Sequence, residues 1–504
     1  MGVWQTELTQ LEREVEGAAS AKGFTFRYSP LHALKPDAVV REFLYSAQGL
    51  GLEVMRWTDP EYGEPKPSMD DEALLRYAAV GVNHDRMNGR SFQDHPVVYR
   101  ILKIRSIAKA RGTHLGGLLT ARRADGCAHA KFNYPENTTR LSAEDPPVHQ
   151  LPEKADPDVA KLVKACIVPR RGAWLGDPED WDPRKHGWCA KIDVKGAEMV
   201  VRAGAIARCS VLAPYLRDGK DAHGKTGAAF YGRPEGAFAK NDPERNVVGK
   251  QANFLLIFGG SWVALQQQLW KLGRTWFERP EAQRFHRVFF ETYPDLARQY
   301  EADTGLMVAR GYIEDPYGRR WHMPVPHDYA AERKNGKWSF AFTRRIVSED
   351  EAKALDRMLA YRRHCYANRP TQAAQGTTTL WCIALCHHGE YVELRVPPCW
   401  ERYGVPFPEA SGWQLNEGDG PGGKPFRAWM NNTVHDSLWL DGAPGTLEPA
   451  MKVCFRRFMG VPADFLLDAN MPWRVEAEVG PDLGHLRPYT DVAKQFGLEA
   501  MPTW

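Results

Sequence analysis

Two short apolar segments that each carry one aspartate place the strongest constraint on the fold of this chain. WCAKIDV (188–194) alternates as a β-strand, with apolar side chains on one face and Asp193 on the other. TVHDSLWLDG (433–442), read as one strand, puts Asp436 on its apolar face unless a turn at His435 and Asp436 interrupts the alternation. If the two strands are neighbours, hard divalent cations such as Mg2+ must separate the carboxylates. The alternative is two unrelated surface aspartates.

A third segment, ERNVVGKQANFLLIFGGS (244–261), predicts a helix with a cationic and aromatic stripe. Helical spacing places Lys250, Phe254 and Phe258 on one face, with Arg245 offset at the start. One interpretation is an aromatic core stripe with a snorkelling lysine. The other is a helix that presents a cation to phosphates and flat rings to a nucleobase and its sugar.

Composition and charge indicate an ordinary globular chain. The 504 residues are 43% apolar and 26% charged, which is enough to form several packed subdomains. A formal net charge of +3 excludes a uniformly basic surface, so a nucleic-acid partner requires local basic patches. The sequence shows neither a signal peptide nor an apolar run that could span a bilayer, so we expect a cytoplasmic protein without a membrane partner. Nine cysteines, an odd number, favour a reducing compartment, and CIALCHH (382–388) is better interpreted as buried helix cysteines than as a metal site.

Periodicity and turn residues predict the elements around these segments. Apolar residues at helical spacing predict a first helix that ends near Gly23, and residues 97–120 predict a second helix with a basic flank. SEDE (348–351) is a capping box that opens a further helix. Pro- and Gly-rich stretches at 175–187 and 416–425 predict surface loops.

Together these segments resemble the motifs of the family A DNA polymerases, the polymerase-I-like group that includes many phage replicases. DVKGAE (193–198) resembles the first palm motif, KQANFLLIFGG (250–260) the fingers helix and VHDS (434–437) the third motif, in the order of the family. Weaker similarities extend over nearly the whole chain, namely HAKFNYPENTTRLS (129–142), DAH (221–223), GYIEDPYGRR (311–320), NRPTQ (368–372) and VEAEVG (475–480).

Two departures from the family pattern affect the site. Arg245 precedes Lys250 by five residues where the family usually has four, so Asn246 occupies the expected arginine place. Ser437 replaces the glutamate that usually follows the third-motif aspartate. These departures leave open whether Arg245 or Asn246 faces a triphosphate, and which residue takes the place of the glutamate.

The resemblance implies an α+β right-hand polymerase fold with an antiparallel-sheet palm and a largely helical thumb and fingers. The implied domains are a thumb (1–128), a first part of the palm (129–222), the fingers (223–345) and a second part of the palm (346–504). The resemblance begins within the thumb and leaves no segment for a 3′–5′ exonuclease or a 5′ nuclease. We therefore expect no proofreading by this chain, and a separate processivity or proofreading factor is a candidate partner.

The implied activity is template-directed DNA synthesis on primer-template DNA with dNTPs. Asp193 and Asp436 would bridge two Mg2+ ions, or Mn2+ in their place, with the carbonyl group of Val194 as a further ligand. The implied nucleotide-binding residues are Glu198, which would block a ribose 2′-hydroxyl, together with His223, Arg245, Lys250, Phe254 and Phe258. The implied DNA-binding residues are Arg105, Lys109, Thr113, Arg140, Arg319, Arg320, Asn368, Gln372 and His435. For Arg319 and Arg320 a purely structural turn is a nearly equal alternative.

Two other functions are consistent with this sequence. A single-subunit RNA polymerase shares the architecture, but Glu198 argues against it. A catalytically weak or silent polymerase-like protein could bind DNA as an accessory subunit. Ser437 and the shifted Arg245 keep this second alternative open, whereas the presence of both aspartates disfavours it.

Overall fold

The structure is a computed structural model whose described residues leave gaps along the chain. The described residues are 2–28, 38–54, 57–58, 64–74, 77, 95–124, 126–133, 142–151, 157–240, 242, 244–273, 277–387, 428–434, 437–459 and 463–501. The predicted loop at 416–425 and His388 of the cysteine segment lie outside them.

Helices form most of the described chain. The α-helices are α1 (Gly2–Ser20), α2 (Ala38–Tyr45), α3 (Asp71–Leu74), α4 (Pro96–Lys109), α5 (Gly117–Thr120), α6 (Pro157–Ala165), α7 (Ala197–Met199), α8 (Leu212–Arg217), α9 (Ala222–Tyr231), α10 (Lys250–Leu256), α11 (Trp262–Gly273), α12 (Arg279–Thr292), α13 (Pro294–Arg310), α14 (Glu349–His387), α15 (Leu447–Met459), α16 (Asp464–Asp468) and α17 (Tyr489–Phe496). Segments of π-helix adjoin some of them, at Ala110–Gly116, Val200–Ile206 and Arg245–Gly249.

The strands are short and pair in antiparallel fashion. They are β1 (Lys131–Asn133), β2 (Ser142–Glu144), β3 (Trp188–Val194), β4 (Tyr312–Glu314), β5 (Arg320–His322), β6 (Tyr329–Lys334), β7 (Lys337–Phe342), β8 (Ala428–Val434), β9 (Ser437–Gly442), β10 (Val475–Gly480) and β11 (Arg487–Pro488). β1–β2, β4–β5 and β6–β7 form two-stranded sheets, and the remaining strands form one five-stranded sheet.

The chain forms two compact units. The first comprises Met1–Ala130, Asp145–Val163 and Gln266–Arg279, and the second comprises the remaining residues. In the first unit α1 packs against α4, whose buried side chains include Ile101 and Ile104. Residues 1–128, the predicted thumb, fall within this unit, and the predicted boundaries of thumb, palm and fingers stay a prediction.

The five-stranded sheet positions the first aspartate in the second unit. Its strand order is β11-β10-β3-β9-β8, so β3 lies between β10 and β9. The predicted alternation of β3 is confirmed, since Ile192 and Val194 are buried while 43% of the Asp193 side chain is exposed. The apolar face joins α14, α15 and α17 in a core that includes Trp188 and Leu438.

The interpretation of residues 433–442 as a single strand is wrong. β8 ends at Val434, β9 begins at Ser437, and these two residues pair in antiparallel register. His435 and Asp436 separate the strands in sequence and lie outside the described residues. The described residues on either side of them therefore form two antiparallel strands rather than one.

The other predicted elements are largely confirmed. α1 ends before Gly23, which has a φ of 81°, and α4, the following π-helix and α5 together span Pro96–Thr120. At the start of α14 the Ser348 hydroxyl accepts a hydrogen bond of 3.1 Å from the backbone N–H of Glu351. Cys382 is buried on this helix, as expected. None of the helices in the described part of the chain has the length and apolar character that a membrane crossing requires.

A buried ion pair joins α13 to the π-helix that follows α7. Arg202 Nη2 lies 2.6 Å from Asp303 Oδ2, and the two side chains are only 1% and 3% exposed. Gln299 donates a hydrogen bond of 2.9 Å to the second carboxylate oxygen, and Arg202 Nε donates to the carbonyl of Ile257 at 3.3 Å. Because both charges are buried, removal of one leaves the other without its main compensation.

We predict that Asp303→Asn lowers the free energy of unfolding by about 3–5 kcal/mol, since it leaves the Arg202 charge buried without its counter-charge. The measurement is the shift in thermal and urea unfolding midpoints. Glu291→Gln is the control, because Glu291 and Arg287 form a pair in which each side chain is 67% exposed. Its effect should stay within about 1 kcal/mol, and equal shifts for both variants would contradict the assignment.

Candidate functional site

The candidate site begins at the end of β3, where two neighbouring strands meet Asp193. On one side Asp193 pairs with Ser437, the first residue of β9, and on the other side with Glu476 of β10. Ser437 is 2% exposed and directly follows Asp436 in the sequence. The register therefore brings Asp193 opposite the residue next to the second predicted aspartate.

Lysines accompany the carboxylates at this edge. Lys191 Nζ lies 3.6 Å from Asp193 Oδ2, and Lys195 Nζ lies 2.7 Å from Glu476 Oε1. In the sequence Glu476 lies in the segment VEAEVG, one of the weaker similarities, and its position opposite Asp193 was not predicted. The alternation in VEAEVG was the available signal, because it places both glutamates on one face of β10.

A left-handed residue links β3 to Glu198. Gly196, between β3 and α7, has φ 61° and ψ 35°, which side chains with a Cβ rarely adopt. Glu198 follows in the first turn of α7 and is half-buried. The strand, the turn and the helix thus separate Asp193 and Glu198 by five residues, as in the predicted motif.

The fingers segment contains a π-helix that explains its unusual spacing. The backbone N–H of Lys250 donates to the carbonyl of Arg245, an i to i−5 bond. A π-turn accommodates one extra residue per turn, so residues five apart lie above one another. Arg245 therefore lies one turn below Lys250, and the five-residue spacing is a local insertion that preserves their alignment.

Glycine allows this π-helix to approach α9 closely. A Cβ at Gly249 would overlap the carbonyl oxygen of His223. Arg245 and Lys250 both lie close enough to His223 to lower its pKa, so the three side chains share one region of the second unit.

Arg245 is held by a carboxylate. Its Nε and Nη2 donate to the two oxygens of Asp221 at 2.6 and 2.7 Å, and Nη1 donates to Asn246 Oδ1 at 2.6 Å. Burial raises the pKa of Asp221, but the hydrogen bonds from Arg245 and from the backbone of Gly224, together with the charge of Arg245, outweigh it and lower the pKa below its ordinary value. Asp221 is consequently an anion at neutral pH, and its bidentate contact fixes the guanidinium.

His223 is neutral at physiological pH. Burial, followed by the charges of Arg245 and Lys250, lowers its pKa from 6.5 to about 4. Its Nδ1 lies 2.9 Å from Asn253 Nδ2, and its ring centroid lies 5.8 Å from that of Phe254. Since the amide nitrogen donates, Nδ1 is the acceptor and Nε2 carries the ring proton.

The predicted stripe on α10 is only partly correct. Lys250 is exposed, and its Nζ lies 5.9 Å from the ring centroid of the half-buried Phe254. Phe258 lies beyond the end of α10 and is only 4% exposed, so it is not on the predicted helix face. The reason is Gly259, whose φ of 75° ends the helix, with the N–H of Gly260 bonded to the carbonyl of Leu255.

The predicted DNA-binding residues of the first unit differ in their surroundings. Arg105 Nη1 donates to the carbonyl of Met69 and to Asp71 Oδ1, both at 2.8 Å, so it stabilises the unit internally. Lys109 and Thr113 are exposed on α4 and its π-helical continuation. Contact of these three residues with DNA stays a prediction.

The predicted DNA-binding residues of the second unit lie on β4–β5 and α14. Arg319 is bound to Asp315 at 2.8 Å and to the carbonyl of Ala373 at 3.0 Å, which supports the structural alternative for this residue. Arg320 pairs with Glu314 at 2.6 Å and is 58% exposed. Asn368 and Gln372 are half-buried on α14. Arg140, His435 and Asp436 lie outside the described residues.

Comparisons of the sequence identify relatives of this chain. The profile described as DNA polymerase family A matches residues 78–346, just over half of the 504 residues. "DNA polymerase I, thermostable" of Thermus aquaticus is 27% identical over 233 residues, which are 46% of this chain and 25% of that protein. "DNA polymerase DpoZ" of Salmonella phage PMBT28 is 27% identical over 259 residues, which are 46% of this chain and 38% of that protein. The match to this chain thus spans about a quarter of the length of the Thermus relative.

A solved structure shows the same fold. The polymerase domain of Pol1 from M. smegmatis, in complex with DNA primer-template and dNTP, matches with a TM-score of 0.62 at 17% identity. The match covers 96% of this chain and 66% of that chain. The expected α+β right-hand polymerase fold is confirmed.

We predict that the imidazole of His223 titrates near pH 4. Between pH 6.5 and about 4 the unfolded chain takes up this proton and the folded chain does not, so stability falls as the pH falls through this window. The measurement is an NMR titration of ring resonances in histidine-labelled protein, assigned with His223→Gln. Lys250→Met should raise the pKa, because a neighbouring cation is removed, and a wild-type pKa near 6.5 would refute the assignment.

Proposed function

The chain belongs to DNA polymerase family A, and on this premise we propose that it adds deoxynucleotides to a primer 3′ end under the direction of a template strand. The single observation that carries the proposal is the pairing of Asp193 with Ser437 on adjacent strands. Ser437 follows Asp436 directly in the sequence, so the described neighbour of the second aspartate of the implied two-metal site lies opposite Asp193.

Asp193, Asp436 and the carbonyl group of Val194 are the proposed ligands of two divalent cations, with Mg2+ preferred. The donor set fits, because all three are oxygen ligands and the Asp193 side chain is 43% exposed at a strand end. Among the described residues no group of three or more His, Cys, Asp and Glu side chains could hold a metal, so the site depends on Asp436. When bound, the cations lower the pKa of the primer hydroxyl and neutralise the leaving pyrophosphate.

Two lysines partly neutralise the carboxylates at this edge. Lys191 reduces the repulsion around Asp193, and Lys195 does the same for Glu476. Glu476 is the proposed substitute for the glutamate that Ser437 replaces, because its backbone lies directly opposite Asp193. Its proposed role is to add negative charge at the metal site, and its ion pair with Lys195 moderates that charge.

The triphosphate-binding residues are Lys250, Arg245 and His223. The exposed ammonium group of Lys250 makes the strongest electrostatic contact with the phosphates. We expect a phosphate oxygen to replace Asn246 at Arg245 Nη1, while the contact with Asp221 keeps the guanidinium in place. Neutral His223 donates a hydrogen bond from Nε2, so it contributes direction without adding charge.

The remaining contacts follow from the family premise. Phe254, half-buried beside Lys250, packs against the nucleotide sugar and base, and Glu198 excludes a ribose 2′-hydroxyl. Phe258, in the turn that follows α10, is proposed to lie next to the template base. The proposed contacts with primer-template DNA comprise Arg105, Lys109, Thr113, Arg140, Arg319, Arg320, Asn368, Gln372 and His435, and contacts with phosphates position the duplex without reading its sequence.

We predict that Asp193→Asn and Asp436→Asn each reduce primer extension by more than about a thousandfold, roughly 4 kcal/mol in activation free energy. Each variant removes a metal ligand, whereas binding of primer-template DNA should change less than about twofold because phosphate contacts dominate affinity. Single-nucleotide incorporation and fluorescence anisotropy provide the measurements.

Asp491→Asn, at an exposed position on α17, is the matched control and should extend primers normally. Normal extension by either active-site variant would overturn the metal site. A wild-type chain that binds primer-template DNA but never extends it, with Mg2+ or Mn2+, would instead support the accessory-protein alternative.

We predict that Arg245→Ala raises the KM for dNTP by about tenfold, the loss expected for one charge-assisted hydrogen bond to phosphate. Asn246→Ala should change KM less than about twofold, because only Arg245 is aligned with Lys250 by the π-turn. Steady-state incorporation kinetics at saturating primer-template DNA provide the comparison. A larger effect at Asn246 would show that the register is the reverse.

A further inference from the structure

The β6–β7 hairpin carries a group of cations that the proposed site does not use. The strands pair from Tyr329 with Phe342 to Lys334 with Lys337. Asn335 and Gly336 connect them with φ of 50° and 77°, and two left-handed residues in a two-residue connection match the right-handed twist of the strands. The turn is therefore well defined, and the residues at its ends have fixed positions.

The body of the hairpin packs against α13 and α14, which belong to the same unit. Tyr329 and Phe340 pack in a core with Met307 of α13 and Leu359 of α14. The backbone N–H of Trp338 donates to Glu301 Oε2 at 3.1 Å. Packing on one face thus orients the hairpin, and its far end extends beyond these contacts.

The far end is basic and exposed. Arg333, Lys334 and Lys337 flank the turn, and all three are exposed. The single acidic residue of the hairpin, Glu332, pairs with Lys334 at 3.0 Å, where both side chains are more than 60% exposed. Such an exposed ion pair contributes little to stability, and Lys334 can readily exchange Glu332 for another anion. The tip (Arg333–Lys337) therefore retains a positive field.

A short series of contacts connects the hairpin to the turn of Phe258. The guanidinium of Arg363 lies 5.5 Å from the Phe340 ring centroid and 5.1 Å from that of Tyr300. The Tyr300 ring packs so closely on Gly259 that a Cβ there would overlap it. Burial lowers the pKa of His364, next to Arg363, and the nearby backbone of Phe258 opposes this lowering. Arg363 and Tyr300 therefore link the hairpin to the turn that contains Phe258, the proposed neighbour of the template base.

Strand geometry gives the reach of the tip. From Phe340 to Lys337 the chain covers three residues of extended strand, about 10 Å at ~3.3 Å per residue. Lys337 consequently lies about one or two nucleotide lengths along the strand from Phe340. A template strand that enters toward Phe258 is single-stranded ahead of the primer end, and its phosphates are the anions available at this distance.

We propose that the hairpin tip binds the backbone phosphates of the single-stranded template ahead of the primer end, with Arg333, Lys334 and Lys337 as the contacts. The inference rests on the proposed function for the identity of the strand. These side chains contact phosphates and not the edges of bases. Binding is therefore independent of the template sequence and sensitive to salt.

The test compares the wild type with the variant Arg333→Ala, Lys334→Ala, Lys337→Ala, which leaves Asn335 and Gly336 intact. The probes are primer-template DNAs with the same duplex and a template overhang of either one or ten nucleotides. Wild-type protein should bind the long overhang at least about tenfold more tightly, and the variant should lose this preference. The slope of log Kd against log salt should fall by about 2, near 0.7 for each of three phosphates.

The matched control is Lys185→Ala, Arg287→Ala, Lys494→Ala, which removes the same charge from exposed positions on other elements. It should keep the overhang preference and the salt slope. Single-nucleotide incorporation at saturating DNA, and the thermal midpoint, should be unchanged in both variants. The inference is overturned if the hairpin variant and the control show equal overhang preference, or if the wild type shows no preference. Failure of the proposed function would instead appear as a wild-type protein that does not extend the primer.

Discussion

The antiparallel pairing of β3 with β9 and β10 is the constraint on which the site depends. Backbone hydrogen bonding fixes Asp193 opposite Ser437 on one side and opposite Glu476 on the other. A slip of one residue would turn Asp193 into the core and Ile192 to the surface, so burial of the apolar face enforces the register. The carboxylate is thus held by the packing of a core that lies on the opposite face of the sheet.

A second backbone feature, the π-helix before α10, positions the charged side chains of the proposed nucleotide-binding site. It aligns Arg245 with Lys250, and burial, together with the positive charges of these two residues, keeps His223 neutral. Asp221 balances part of this charge and orients the arginine. A triphosphate would meet one exposed ammonium group, one oriented guanidinium and one neutral imidazole, each stabilised before the ligand arrives.

Sequence reasoning succeeded where local periodicity and side-chain chemistry determine the structure. The alternation of β3 and the Ser348 cap follow from neighbours in sequence, and both are confirmed. It failed at Phe258, because a left-handed Gly259 ends the helix one turn early, and at residues 433–442, where a change of direction was read as continued strand. Glu476 was missed because its position opposite Asp193 depends on tertiary pairing, and the alignment of Arg245 required a π-turn that spacing alone does not indicate.

The central claim is that Asp193 and Asp436 share one pair of divalent cations, and affinity cleavage tests it most directly. Fe2+ replaces Mg2+ in a complex with primer-template DNA and the next dNTP, and ascorbate with peroxide then generates radicals that cut the nearby backbone. We expect cuts beside residue 193 and beside residue 436 in the same sample, suppressed by excess Mg2+ and lost together in Asp193→Ala. Cuts beside only one aspartate, or cleavage at 436 that survives Asp193→Ala, would contradict it.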